Sequence, residues 1–425
     1  MTLELSLLAV SCLLCALGAS PTVNRAAERT PALTRLRACV RRTVSRYEWF
    51  FAVALLALAL LLRVLYAAQI PTGIAADEML IAVQGRSLAS QGKDLAGTWL
   101  PAFLPGYGAS TAMGPVLPLL TAPFTALWGM SLWAVRLPAL LLGLGSIVLC
   151  YFLARGIAGR AMALWTLLIL SLSPWHIASS RFLNVAMASL CALALGCLLL
   201  SRGRWAAAGV VFALSMFVSD GLWLAAPSIF VGYAIFCVCS RRVSFKRLAL
   251  PAVLFLLIAA PALCTICVNR FGLSPFSWLG ITIPALPQRP QGLTTLFDVG
   301  FSFNALEDTF FSLLEWLICA VKADEYGSTG AYLLYGGGFT YLFAFPLLVG
   351  GLIGVCGRAR RGKGPFVLLA LMAAGCVLLR LVCPQSSCVS TAISSNIWAI
   401  RCSSRDTLKT LASRATTPSI RFPGP

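Results

Sequence analysis

An acidic pair, Asp77-Glu78, stands nine residues beyond a long apolar run, 49–68, and opens a segment with helical spacing. Two carboxylates beside an apolar run can do one of two jobs. They can hold a divalent cation, Mg or Mn, against a phosphate. Or one of them can act as general base on an acceptor hydroxyl or amine. The bland alternative is capping, since acids in a first helical turn are favourable by themselves. Further along, His176 is the single histidine, and Arg181 follows it by five residues. An arginine near an acid suits a phosphate clamp, and a histidine suits phosphate binding or proton transfer. Their alternatives are a headgroup anchor and an aromatic-belt residue beside Trp175. A second acidic pair, Asp324-Glu325, is placed to close a site from above or to be a solvated loop. Arg136 reads as an interfacial anchor or a structural partner for a carboxylate, and Asp220 as turn chemistry in Ser219-Asp220-Gly221.

These residues must be positioned by elements inside or beside a bilayer. Of 425 residues, 59% are hydrophobic and 11% charged, against about 25% charged in soluble proteins. The mean hydropathy is +0.87. That excludes a cytosolic globule, a coiled coil and a disordered chain. Repeated apolar runs of about 20 residues predict helices rather than a β-barrel. The net charge of +19 sits in short basic clusters between those runs, so it argues for membrane topology and against nucleic acid. Most of the sixteen cysteines lie inside apolar runs, where they act as small hydrophobes.

Hydropathy predicts an all-α polytopic membrane protein with about nine transmembrane helices, between eight and eleven. The spans are placed at roughly 49–68, 134–154, 162–176, 184–200, 205–219, 222–239, 248–268, 331–355 and 364–383. Residues 3–18 read as a poor signal segment, an extra span or a misassigned start. Residues 1–48 make an N-terminal segment with a basic cytoplasmic stretch, and 49–383 the transmembrane domain. The run 113–130 carries three prolines and decides the topology. If it does not cross, the basic loops around Arg155, Arg202, Arg241 and Arg358 share the side of the N-terminal arginines. It is therefore placed as a re-entrant or interfacial helix on the outer face. Ten of the fourteen carboxylates then fall outside. The long outer loops, 69–133 and 269–330, are the places for function. From Pro384 the composition turns Ser/Thr-rich without apolar period, so 384–425 is predicted to be a disordered tail of frameshifted or truncated origin.

Three pieces in this order carry a resemblance: GMSLWAVRLPALLLGLGSIVLCYFLAR (Gly129 to Arg155), SPWHIASSRF (Ser173 to Phe182) and DEYGSTGAYLLYGGGFTYLFAFPLLVGGLIG (Asp324 to Gly354). The chain resembles the GT-C membrane glycosyltransferases over roughly 45–356. It is most similar to the bacterial branch related to protein O-mannosyltransferases and the lipid A aminoarabinose transferase. The resemblance implies a GT-C-like fold in the bacterial cytoplasmic membrane, with the active site on the outer face. It implies transfer of a sugar from a polyprenyl-phosphate donor to an extracytoplasmic acceptor (protein, lipid or cell-envelope glycan) with inversion. The family's first-loop catalytic acid matches Asp77, with Glu78 adjacent, as general base or metal contact. Arg181 and His176 would face the donor phosphate. A second acid found in many members is replaced here by Asn184, which brings a carbonyl oxygen but no charge. A lysine before the prolines of the loop helix is replaced by Gly114. The family also runs longer than this chain. Two other readings stay open: an inactive truncated fragment of such an enzyme, and a transporter of a lipid-linked substrate, which would need polar groups near mid-membrane.

Overall fold

The computed structural model describes residues 31–65, 67, 69, 73, 74, 76–105, 112–219, 222–285 and 345–382. Asp220, the pair Asp324-Glu325, residues 331–344 and the tail 384–425 lie outside them. The described chain is almost entirely helical. In chain order the helices are α1 (Pro31–Val64), α2 (Ala76–Gln91), α3 (Val116–Trp128), α4 (Leu132–Ala158), α5 (Arg160–Leu172) and α6 (Pro174–Ser179). They continue as α7 (Val185–Ser201), α8 (Trp205–Ser215), α9 (Leu222–Cys239), α10 (Phe245–Phe271), α11 (Phe345–Arg360) and α12 (Gly364–Val382). Two short antiparallel hairpins join β1 (Leu104–Pro105) to β2 (Ala112–Met113), and β3 (Phe276–Trp278) to β4 (Ile281–Ile283).

Among the described residues four stretches are long and apolar enough to cross a bilayer: Arg46–Val64, Leu132–Ala158, Leu222–Cys239 and Phe245–Asn269. The chain is a multi-pass membrane protein. The expected nine spans also count shorter helices. At 1.5 Å per residue, α5 and α8 reach only about 20 and 17 Å, against an apolar core of about 30 Å. Two expected boundaries move for local reasons. The run 162–176 breaks at Ser173, whose side chain caps α6 while Pro174 takes its first turn. The first span, expected over roughly 49–68, lies at Arg46–Val64. It continues a basic helix from Pro31, with a kink at Tyr47 (φ −109°, ψ 18°) where charged sequence gives way to apolar sequence. The run 113–130 forms α3, a single apolar helix of 13 residues packed on α2 and α4.

Small residues set the approach of the helices. Ala52 and Ala59 of α1 meet Ala163 and Leu167 of α5 and Ile147 and Tyr151 of α4. Such residues let backbones come close where lipid gives no hydrophobic drive. α4 turns into α5 at Gly159, whose φ of 91° suits glycine. At one end of this antiparallel trio, Glu48 accepts hydrogen bonds from Tyr151 Oη (2.7 Å) and Arg155 Nε (2.6 Å), and Arg160 Nε lies 3.1 Å away. Glu48 is 2% exposed, so it needs these partners. The contact places Arg155 and Arg160 at the end of the bundle where the basic part of α1 enters, as their charge predicted. The other end carries α2, α3 and the hairpins.

There, the two long loops expected on the outer face meet. Thr282 of β4 accepts from Ala102 N (2.8 Å) and donates its N–H to Leu100 O (3.0 Å), and its hydroxyl donates to Trp99 O (2.6 Å). Helix α2 lies directly on α3. A Cβ at Gly85 would stand 2.2 Å from Pro118 O, so only glycine allows this approach.

Candidate active site

Asp77 and Glu78 occupy the first turn of α2, where the sequence placed an acidic pair, but their environments differ sharply. Glu78 is 0% exposed and turns inward. Its Oε1 accepts from Leu183 N at 2.8 Å and from Arg136 Nε at 3.3 Å, and its Oε2 accepts from Arg136 Nη2 at 3.4 Å. Arg136, 3% exposed, also donates to Ala67 O at 2.8 Å and to Gly73 O. One guanidinium on α4 thus ties both ends of the connection from α1 to α2 and the second acid of α2. Arg136 is a structural partner for a carboxylate, one of the two roles expected of it. Asp77, by contrast, presents its side chain to solvent. The surrounding protein still raises its carboxyl above the ordinary value by desolvation. An accessible carboxylate with raised proton affinity is the form a general base requires.

The bond from Leu183 N to Glu78 brings the 180–184 turn against the head of α2. Arg181 lies in that turn, half-buried. Its Nη2 donates to Leu62 O (2.7 Å) and Leu65 O (2.9 Å) at the C-terminal end of α1. Its Nε is buried with no hydrogen-bond partner among the described residues. Burial holds its guanidinium below its ordinary value. Arg63, in the same last turn of α1, is 0% exposed. Its Nη1 donates to Ala59 O (2.9 Å) and Ser171 O (3.3 Å), and its Nη2 to Leu170 O (3.0 Å) and His176 Nδ1 (2.9 Å). Its Nε is likewise buried and without a partner among the described residues. Cations bonded to terminal carbonyls suit a helix C-terminus. Yet two guanidinium charges converge here, and among the described residues no carboxylate pairs with either. Buried charge of one sign calls for a counter-anion.

His176 lies beneath this pair, 0% exposed. Its Nδ1 accepts from Arg63, and its Nε2 stands 2.9 Å from Ser146 Oγ. Its path to a ligand therefore runs through Arg63. Asn184 is the N-cap of α7. Its Oδ1 accepts from Ala186 N (2.9 Å) and Met187 N (3.3 Å), and its Nδ2 donates to Ser179 O and to Phe182 O (2.9 Å). All its polar capacity serves the backbone. Among the described residues no group of three or more His, Cys, Asp or Glu side chains gathers to hold a metal. With Asn184 occupied, the described donors around Asp77 do not amount to a metal set.

Residues 112–264 match the family of dolichyl-phosphate-mannose-protein mannosyltransferases. The matched stretch holds Arg136, His176, Arg181 and Asn184; Arg63 and Asp77 lie before it. No curated protein matches the chain. Two solved structures of ArnT from Cupriavidus metallidurans are similar to it. The apo form shares 15% identity at a TM-score of 0.47, covering 80% of this chain and 58% of ArnT. The form bound to undecaprenyl phosphate shares 15% identity at a TM-score of 0.40, covering 89% of this chain and 66% of ArnT. The chain thus spans roughly three-fifths to two-thirds of those proteins' length.

Sequence reasoning passed over Arg63. It sits inside an apolar run, one turn from the run's end, where an arginine ordinarily snorkels to the interface. Its signal was its rarity: no other charged residue stands between Phe50 and Ile74.

Proposed function

We propose that the chain is a GT-C-type membrane glycosyltransferase that takes a sugar from a polyprenyl-phosphate donor and passes it to an extracytoplasmic acceptor. The family whose model matches 112–264 is named for a donor of this class, a dolichyl-phosphate sugar. The observation that carries the reading is the juxtaposition of an accessible, proton-avid Asp77 with the guanidiniums of Arg181 and Arg63, with which no carboxylate among the described residues pairs. They are brought to one end of the bundle by the Glu78–Leu183 and Arg181–Leu62 bonds. A base beside an anion site is what transfer from a sugar phosphate demands.

In this reading the donor's prenyl chain lies in the bilayer and its phosphate docks at Arg181, whose Nε has no hydrogen-bond partner among the described residues. Arg63 has four of its five N–H groups committed, so it contributes charge from below rather than a fork of hydrogen bonds. Asp77 takes the proton from the acceptor O–H or N–H as that atom attacks the anomeric carbon. The bond from this carbon to the phosphate oxygen breaks on the opposite face, and the electron pair leaves with the phosphate. Attack opposite the leaving group inverts the centre. The leaving polyprenyl phosphate is an anion already, so positioning and charge stabilisation supply most of the rate. The acceptor class stays as wide as the resemblance left it: protein, lipid or envelope glycan. The same reading has the site on the outer face of a bacterial cytoplasmic membrane.

The test is sugar transfer or release from a panel of polyprenyl-phosphate sugars by purified protein in nanodiscs. Wild type should turn over at least one donor. Asp77→Asn should lose turnover, and Arg181→Ala should lose about 100-fold or more, the scale for removing one transition-state donor. Full activity in Asp77→Asn, or no turnover of any donor by folded wild type with acceptors of all three classes present, sinks the proposal.

A further inference from the structure

The chain Gly143–Ser146–His176–Arg63 runs beneath the cationic pair, and its hydrogen bonds have one consistent direction. A guanidinium only donates, so Arg63 Nη2 bonding to His176 Nδ1 at 2.9 Å makes Nδ1 the acceptor. The ring proton then sits on Nε2, which faces Ser146 Oγ at 2.9 Å, and the hydroxyl passes its own proton to Gly143 O at 2.7 Å. The imidazole is therefore neutral and a single tautomer. Arg63, His176 and Ser146 are each 0% exposed, so no water is available to substitute for a lost partner. Nothing in this arrangement lets His176 touch a ligand. Its one free capacity, the Nδ1 lone pair, is spent on Arg63.

The other three bonds of Arg63 go to backbone carbonyls of α1 and α5: Ala59, Leu170 and Ser171. Those carbonyls steer the guanidinium toward the helix axes. Among the described residues His176 is the only side chain in its hydrogen-bond set, and it comes from α6, the turn that leads directly into Arg181. Arg181 in turn bonds Leu62 O, the residue before Arg63. The two cations are thus locked to each other through α6 on one side and the last turn of α1 on the other.

We propose that His176 is a positioning residue for phosphate binding: as a neutral acceptor braced by Ser146, it fixes the Arg63 guanidinium below Arg181 so that both charges act on one anion. The inference rests on the reading of this end of the bundle as a polyprenyl-phosphate site. Its test is an affinity measurement, so activity is not needed. A radiolabelled polyprenyl monophosphate is titrated into nanodiscs holding the full chain, beside the matching uncharged polyprenol. His176→Phe keeps a ring but removes the acceptor, and should weaken phosphate binding about tenfold, the scale of a hydrogen bond to a charged group. Binding of the polyprenol should stay as in wild type, which a merely structural role would not produce. His176→Asn places Oδ1 near the Nδ1 position and should recover to within about threefold of wild type. Ser146→Ala frees the ring without removing it, and should weaken phosphate binding about threefold. If His176→Phe fails to fold, Ser146→Ala carries the test alone. Unchanged phosphate affinity in both variants overturns the positioning role while leaving the site intact. Equal loss for phosphate and polyprenol overturns it in favour of a structural role. Failure of wild type to prefer the phosphate over the polyprenol overturns the site itself, and the inference with it.

Discussion

Replacing Arg136 by Met should destabilise the fold more than any other single change at the site. The guanidinium makes two contacts with a fully buried carboxylate and two with backbone carbonyls, Ala67 O and Gly73 O. Methionine keeps the apolar stem but takes the guanidinium away from the buried Glu78 carboxylate, which keeps its bond from Leu183 N. Breaking a buried pair by removing one partner costs about 3–5 kcal/mol, and each carbonyl left without its donor adds about 1 kcal/mol. The double variant Arg136→Met/Glu78→Gln removes the orphaned charge, while the amide oxygen still accepts from Leu183 N. It should recover at least about 2 kcal/mol relative to the single variant. The assay is reversible unfolding in mixed micelles, read by far-UV circular dichroism, for both singles and the double. A single variant within about 1 kcal/mol of wild type, or a double no more stable than Arg136→Met, would refute the view that this pair anchors the head of α2. Loss of the anchor should also abolish turnover at temperatures where the protein stays folded, because Asp77 is adjacent to Glu78.

Three further outcomes follow from the geometry. Desolvation raises the Asp77 carboxyl, so the acid limb of turnover should lie above the ordinary carboxylate range of about 4. A raised folded value means the stability linked to this group is lost as pH rises through it; Asp77→Asn should therefore be at least as heat-resistant as wild type at pH 7, and a lower melting temperature would contradict this. Glu48→Gln should cost about 1–3 kcal/mol by micelle unfolding, since Arg155 and Arg160 are partly exposed and can turn to water; polyprenyl-phosphate affinity at the far end of the bundle should not move. Asn184→Ala should cost about 1–2 kcal/mol as a lost helix cap, and Asn184→Asp should recover only part of that, because it keeps the cap but turns its second oxygen on the Ser179 and Phe182 carbonyls; equal stability of Asn184→Ala and wild type would mean the cap contributes nothing.

Much of this was legible in the sequence because apolar length and helix-end chemistry are local. The runs over α4, α9 and α10 announce themselves, and Ser173-Pro174 marks the break that separates α5 from α6. The Asp77-Glu78 pair was legible as a pair, but not the split between its members. Glu78 finds Arg136 on a helix 58 residues away, and nothing local distinguishes the acid that turns inward from the one that stays open. Asn184 before an apolar run is an N-cap signature, a signal outweighed by the search for a second acid. Arg63 and His176 were opaque for a common reason. Hydropathy reports how apolar a segment is but not which face of it is packed, so a polar residue inside the bundle looks like one at its edge.

The staple between the two long loops has a consequence for how the protein is made. Thr282 closes on Trp99 from 183 residues further along the chain. At about 5–20 residues per second, the ribosome needs roughly 10–40 s to reach it. During that interval α2 and the segment after it are already synthesised, while the strand that pins them does not yet exist. The loop bearing Asp77 therefore takes its final form only after α10 has been threaded into the bilayer. Synthesis order alone keeps the acid from being fully set until most of the bundle beneath it is in place.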